Sequence, residues 1–98
     1  MTEQERLEYL NKVLYSNYTS LDEVEWGVIS ISQKLSEDFI REFKDKVDWE
    51  LISKNQKLSE DFIREFKDKV SWPEILHYQT LSEEFKEKYY NNETAEKY

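Results

Sequence analysis

Cysteine is absent from this chain, and glycine, proline, histidine and methionine occur once each. Each scarcity closes off a class of chemistry. Without cysteine there is no disulfide framework, no thiolate zinc site and no thiol nucleophile. A single histidine, His77, leaves no zinc site of the usual composition. With Gly27 as the lone glycine, no P-loop, G-x-G-x-x-G, G-x-S-x-G or EF-hand loop can be written. One glycine and one proline also supply too little for the tight turns of a β protein, so a helical chain is expected. No apolar run approaches the ~18 residues that read as a membrane span. The Met1–Tyr15 segment is acidic and has neither the basic start nor the apolar middle of a secretory signal. These features predict a soluble, cytoplasmic protein with no membrane association and no cofactor.

What the chain does contain is aromatic surface and charge. Fifteen aromatic residues argue against disorder, although charged residues are nearly as frequent as hydrophobic ones (37% against 38%). At 98 residues a single domain with a modest core is expected. The net charge of -8 is uneven: residues 1–25 carry -4, 26–48 carry -1, 49–71 are neutral and 72–98 carry -3. An acidic chain without a Lys/Arg face is not expected to bind nucleic acid directly.

The dominant pattern is repetition. Gln33–Val47 and Gln56–Val70 are the same fifteen residues, QKLSEDFIREFKDKV, 23 positions apart, and a third copy has drifted to QTLSEEFKEKYY over Gln79–Tyr90. Trp26, Trp49 and Trp72 keep the same interval. A period of this size predicts a short α-solenoid-like array of about three 23-residue helix-turn-helix repeats, at 26–48, 49–71 and 72–90. Residues 1–25 are expected to form an N-terminal capping helix and a connection, and residues 91–98 a polar tail.

Local signals define each unit. In the middle copy Leu58, Phe62, Phe66 and Val70 form an i, i+4 stripe, predicting a helix of about three turns with Ser59 as N-cap. Leu58 and Ile63 occupy the two positions of a hydrophobic staple, and acids begin the helix while lysines end it. A shorter helix is expected before it, capped by Asp48 in one copy and Ser71 in the next, with Pro73 tolerated in the first turn. The third copy replaces Leu51 with Glu74 and Ile63 with Lys86, as a terminal repeat with a polar outer face requires. At the N-terminus Thr2 and Glu5 fit a capping box, and Ser20 with Glu23 offers a second capping signal. Leu10-Asn11 through Leu14 and Tyr18 loosely echo Leu58-Ser59 through Phe62 and Phe66, which would make a degenerate half-repeat.

Several residues invite a chemical reading and have a plainer one. Ser36, Ser59 and Ser82 each precede a helix with no histidine base in any motif, so capping explains them. His77 stands where Lys54 does in the preceding copy and is expected to face solvent. Trp26, Trp49, Trp72, Phe39, Phe62 and Phe85 are expected to form the repeat core. Gln33, Gln56 and Gln79 are expected to join it by hydrogen-bonding the connection between helices. The acids that the repeat does not explain lie at the ends: Glu3, Glu5, Glu8, Asp22, Glu23 and Glu25, then Glu83, Glu84 and Glu87. They are the candidate partner-binding residues.

The stretch WELISKNQKLSEDFI, Trp49–Ile63, has the form WxxISxxQxLSEDFI and resembles tandem repeats in proteins of bacteriophages, giant viruses and some bacteria. The similarity covers about Trp26 to Tyr90, and the third copy departs from it at Leu76 and His77. It implies a viral origin, with the host cytoplasm as location, and no established reaction. Together with acidity, size and absent catalytic groups, it leads us to expect a non-enzymatic protein–protein interaction module. A phage inhibitor of a basic, nucleic-acid-binding host defence complex, of the anti-CRISPR kind, is the sharpest form of that expectation. The alternative is a structural repeat protein that self-associates into homo-oligomers.

Overall fold

A computed structural model describes residues 1–89. The chain is all-α: among the described residues there are seven α-helices, one 3-10 turn and no strand. It divides into two compact units, Met1–Val47 and a second beginning at Asp48. A chain built of repeats has no single centre, and each unit gathers its own core.

The first unit opens with α1 (Glu3–Leu14). Its start is the expected capping box: Glu5 N–H donates to Thr2 Oγ1 at 3.1 Å and Thr2 N–H to the Glu5 carboxylate at 2.8 Å. Tyr15 ends the helix in the left-handed region (φ 55°). The half-repeat register does not survive, because Asn11 lies inside α1 and caps no helix start. Its amide instead folds back the chain that follows, accepting from Tyr18 N–H and donating to Tyr18 C=O. Ser20 caps a 3-10 turn (Leu21–Glu23), after which come α2 (Trp26–Ser32) and α3 (Glu37–Glu42). Leu7, Leu10, Leu21, Ile29, Phe39, Ile40 and Phe43 are buried.

The second unit holds two consecutive repeats, α4 (Trp49–Asn55) with α5 (Glu60–Glu65), and α6 (Trp72–Tyr78) with α7 (Glu83–Tyr89). Helices α4 and α6 lie side by side, as the first helices of neighbouring repeats should. Ser59 and Asp48 are N-caps, accepting from Phe62 N–H and Leu51 N–H at 3.1 Å each. Ser71 is not: its hydroxyl makes no capping bond, and its own N–H donates to the buried Ser53 Oγ at 3.0 Å.

The expected order of short helix then long helix is also corrected. The first helices have seven residues and α3 and α5 only six, less than two turns. Phe66 leaves helical geometry (φ -112°, ψ 31°), and its carbonyl accepts from both Lys69 and Val70 N–H. The apolar stripe runs on through this turn, so Val70 is buried although the helix has ended. The third repeat has lost this early stop, and α7 continues through Tyr89.

The exchange of Ile63 for Lys86 falls where expected, Ile63 being fully buried and Lys86 exposed. Leu51 and Glu74 are both only half-buried, so that exchange marks no core position. The polar tail at 91–98, and Tyr90 at the end of the third repeat, lie outside the described residues.

Candidate interaction surfaces

Every repeat builds the same small aromatic cluster, a tryptophan set against two rings four residues apart. Trp26 lies 5.2 Å from Phe43, Trp49 lies 5.1 Å from Phe66, and Trp72 lies 5.1 Å from Tyr89 and parallel to it within 9°. The partner pairs Phe39–Phe43, Phe62–Phe66 and Phe85–Tyr89 sit at 4.9, 4.7 and 4.6 Å. Such pairs contribute about 0.5–1.5 kcal/mol beyond burial. The tryptophan rings thus lie against the aromatic pair of their own repeat, and the Trp72 indole N–H also donates to Lys67 C=O of the preceding repeat at 3.0 Å. Of the three only Trp72 is buried; Trp26 and Trp49 are half-buried.

Gln79 has the structural role expected of the repeat glutamines, but in a different place. Its Nε2 donates to Ser53 C=O at 2.8 Å and Gln56 C=O at 2.7 Å, and its Oε1 accepts from Leu58 N–H at 3.0 Å. These groups belong to the end of α4 and the connection that follows it, so the amide fastens one repeat to the one before it. Glu60 completes the joint by accepting from Ser82 N–H and Oγ, and Arg64 lies over the Phe85 ring at 5.3 Å. Gln56 is buried, whereas Gln33 is exposed.

In the first unit, Arg6 of α1 does comparable work and nothing in the repeat pattern pointed to it. It donates to the Glu42 carboxylate and carbonyl at 3.1 and 3.0 Å and to Asp45 at 2.7 Å, while its guanidinium lies 5.0 Å from the Phe43 ring centre. This bond holds the Asp45 carboxyl below its ordinary range. Tyr9 lies against Phe39 and Phe43, and burial, then the nearby Asp38 and Glu42 charges, push its phenol pKa up.

All nine candidate acids are exposed. Two of them have local duties. Glu5 closes the capping box, and the Thr2 backbone N–H is the main reason its carboxyl titrates low. Glu23 accepts from the Thr19 hydroxyl and N–H, which lower its pKa in the same way. Glu3, Glu8, Asp22, Glu25 and Glu84 make no ion pair among the described residues. The repeats contrast with this. Asp38 pairs with Arg41 at 2.7 Å, and Asp61 with Arg64 at 2.8 Å. In the third copy that arginine has become Glu87, and among the described residues Glu83 pairs with Lys86 at 3.8 Å. The last helix thus keeps the first-turn acids of the repeat and adds a further acid where its counter-ion stood.

The repeated serines are committed to capping: Ser36, Ser59 and Ser82 Oγ accept from Phe39, Phe62 and Phe85 N–H at 3.0–3.2 Å. His77 is exposed, edge-on to Tyr78 at 4.5 Å. No group of three or more His, Asp or Glu side chains among the described residues could hold a metal ion. None of the described helices is long and apolar enough to cross a membrane. A shallow depression of about 340 Å3 in the first unit is lined by Met1, Tyr9, Asp38, Arg41 and Glu42. In the second unit a cleft of about 290 Å3 lies between the connections of consecutive repeats.

The folded chain is a small all-α repeat protein with acid-bearing ends. No family model, curated protein or solved structure matches it.

Proposed function

We propose that this protein is a non-enzymatic interaction module that presents exposed carboxylates to a basic protein partner. The observation that carries the reading is the exchange of the repeat arginine for Glu87, which gathers Glu83, Glu84 and Glu87 on the exposed side of α7, opposite its buried Phe85 and Tyr89. By contrast the repeat serines Ser36, Ser59 and Ser82 are committed to caps, and Gln79 and Glu60 to the joint between repeats. Exposed carboxylates of one sign steer a cationic partner and set the salt dependence of its docking. In the viral setting implied by the repeat motif, the partner class is a host nucleic-acid-binding defence complex, in which carboxylates stand in for phosphates. Affinity capture from host lysate tests this. The wild-type protein should retain a basic nucleic-acid-binding protein, added salt should weaken retention, and E84K/E87K should abolish it. Retention of no such protein, or retention indifferent to the double substitution, would sink the reading.

A second reading, self-association, has its own support. Val28 and Ile31 lie three residues apart on α2 and are 52% and 59% exposed. Sedimentation over a range of concentrations distinguishes it: a monomer throughout leaves the first reading standing alone.

A further inference from the structure

The cleft in the second unit differs in charge from the surfaces around it. Its lining comprises Lys54, Asn55, Lys57, Tyr78 and Thr80, with the Gln56, Leu58 and Gln79 segment beneath. No acid lines it, although the chain carries a net charge of -8. We propose that this cleft is a binding site for a phosphate monoester. The inference is independent of the acidic surface above, which lies on other residues.

The floor is rigid for a stated reason. Gln79 spends its amide on Ser53 C=O, Gln56 C=O and Leu58 N–H, which pins the two connections together and leaves the walls to meet a ligand. Lys54 Nζ is held 5.4 Å from the Tyr78 ring centre, so one ammonium is already positioned by its aromatic neighbour. Lys57 is exposed and makes no ion pair among the described residues. Asn55 commits one amide N–H to Leu51 C=O at 3.0 Å and retains the other. No hydrogen bond among the described residues engages the backbone N–H of Lys57 or Thr80, and Thr80 adds a hydroxyl. Two uncompensated ammonium groups, backbone N–H groups and a hydroxyl are the components of an oxyanion site.

The lining holds no arginine. Its ammonium groups act as point charges on an anion, so discrimination of a tetrahedral phosphate from a planar carboxylate falls to the N–H and hydroxyl donors around them. The volume is at the small end for ligand sites, enough for a phosphate and a body of sugar size. A polynucleotide fits poorly, because its further phosphates would run onto helices that carry Glu50 and Glu74. A phosphorylated side chain of a peptide and a free phosphate ester share the chemistry required.

Amide chemical-shift titrations at constant ionic strength decide the matter. The probes are glycerol 3-phosphate and a short phosphoserine peptide, with succinate as a dianion of different shape. At least one phosphate probe should saturate, with shifts confined to residues 54–58 and 78–80, and the tighter of the two identifies the source. K54Q/K57Q should weaken that probe at least about tenfold without moving the thermal midpoint, since both lysines are exposed. K57E should do so on its own. Shifts spread over Lys44, Lys46, Lys67 and Lys69, titration without saturation, binding unaffected by the substitutions, or succinate binding equally well would each overturn the assignment.

Discussion

The fifteen residues QKLSEDFIREFKDKV occur once in each unit, and comparing the two copies separates what a sequence dictates locally from what its surroundings decide. The local results coincide. Ser36 and Ser59 cap with φ/ψ of -74°/158° and -76°/158°, and Phe43 and Phe66 end the helix at -107°/31° and -112°/31°. Ile40 and Ile63 are fully buried in both. The long-range results do not coincide. Gln56 is buried and Gln33 exposed, and in the first copy Glu42 and Asp45 are engaged by Arg6 from α1, a helix outside the repeats. Caps, stops and stripe travel with the segment. Joints belong to whatever is placed beside it.

The most severe way to break this equivalence is through the aromatic core. Phe39→Ala and Phe62→Ala should each cost about 3–5 kcal/mol, a large share of the stability of a protein this size. Denaturant unfolding of the two variants should give similar losses if the clusters are energetically matched, and a clear inequality would show that context reaches into the cluster itself.

The joints should separate the copies at a smaller scale. Gln79→Leu leaves Leu58 N–H and the Ser53 and Gln56 carbonyls without their partner, at about 1–3 kcal/mol. Arg6→Gln should cost about 1.5 kcal/mol, at the low end for charge-assisted bonds because Asp45 is more than half exposed. The two substitutions should differ in their response to acid. Asp45 titrates below its ordinary value of 3.8 in the folded protein, so its contribution is complete above that value and is lost as pH falls through the depressed one. Arg6→Gln should therefore flatten the acid limb of the stability curve, and Gln79→Leu should leave its shape alone. Thermal melts between neutral pH and the acid limb would reveal the difference.

The smallest expected effects sharpen the comparison of caps. Asp48→Ala should cost about 1 kcal/mol, whereas Ser71→Ala, at the matching position, should stay within about 0.5 kcal/mol because its hydroxyl caps nothing. Equal losses in a denaturant titration would mean that the Ser71 hydroxyl has work not seen in the structure.

These contrasts explain how much could be read beforehand. The all-α class, the repeat, the serine and Asp48 caps and the Thr2–Glu5 box are set within a few residues of chain, and the sequence displays them. The early ends of α3 and α5 were hidden because no glycine or proline marks them. Phe66, Lys69 and Val70 form a turn that keeps the apolar stripe in register, so periodicity looked continuous. Ser71 misled because a capping residue type stands where its backbone is already engaged elsewhere. The target of Gln79, the part played by Arg6 and the Lys54–Lys57 cleft all depend on residues more than twenty positions apart. Periodicity alone does not pair such positions.

The clasp made by Gln79 has an evolutionary consequence. It addresses carbonyl and amide groups of the main chain, which every residue except proline supplies in full. A freshly duplicated segment would carry both halves of this fastening from the moment of duplication, with no matched pair of side chains to be found first. The side chains of Lys54 and Lys57, which take no part in it, could then change without undoing it. Fastening copies by their shared backbone lets a gene lengthen by copying and specialise afterwards.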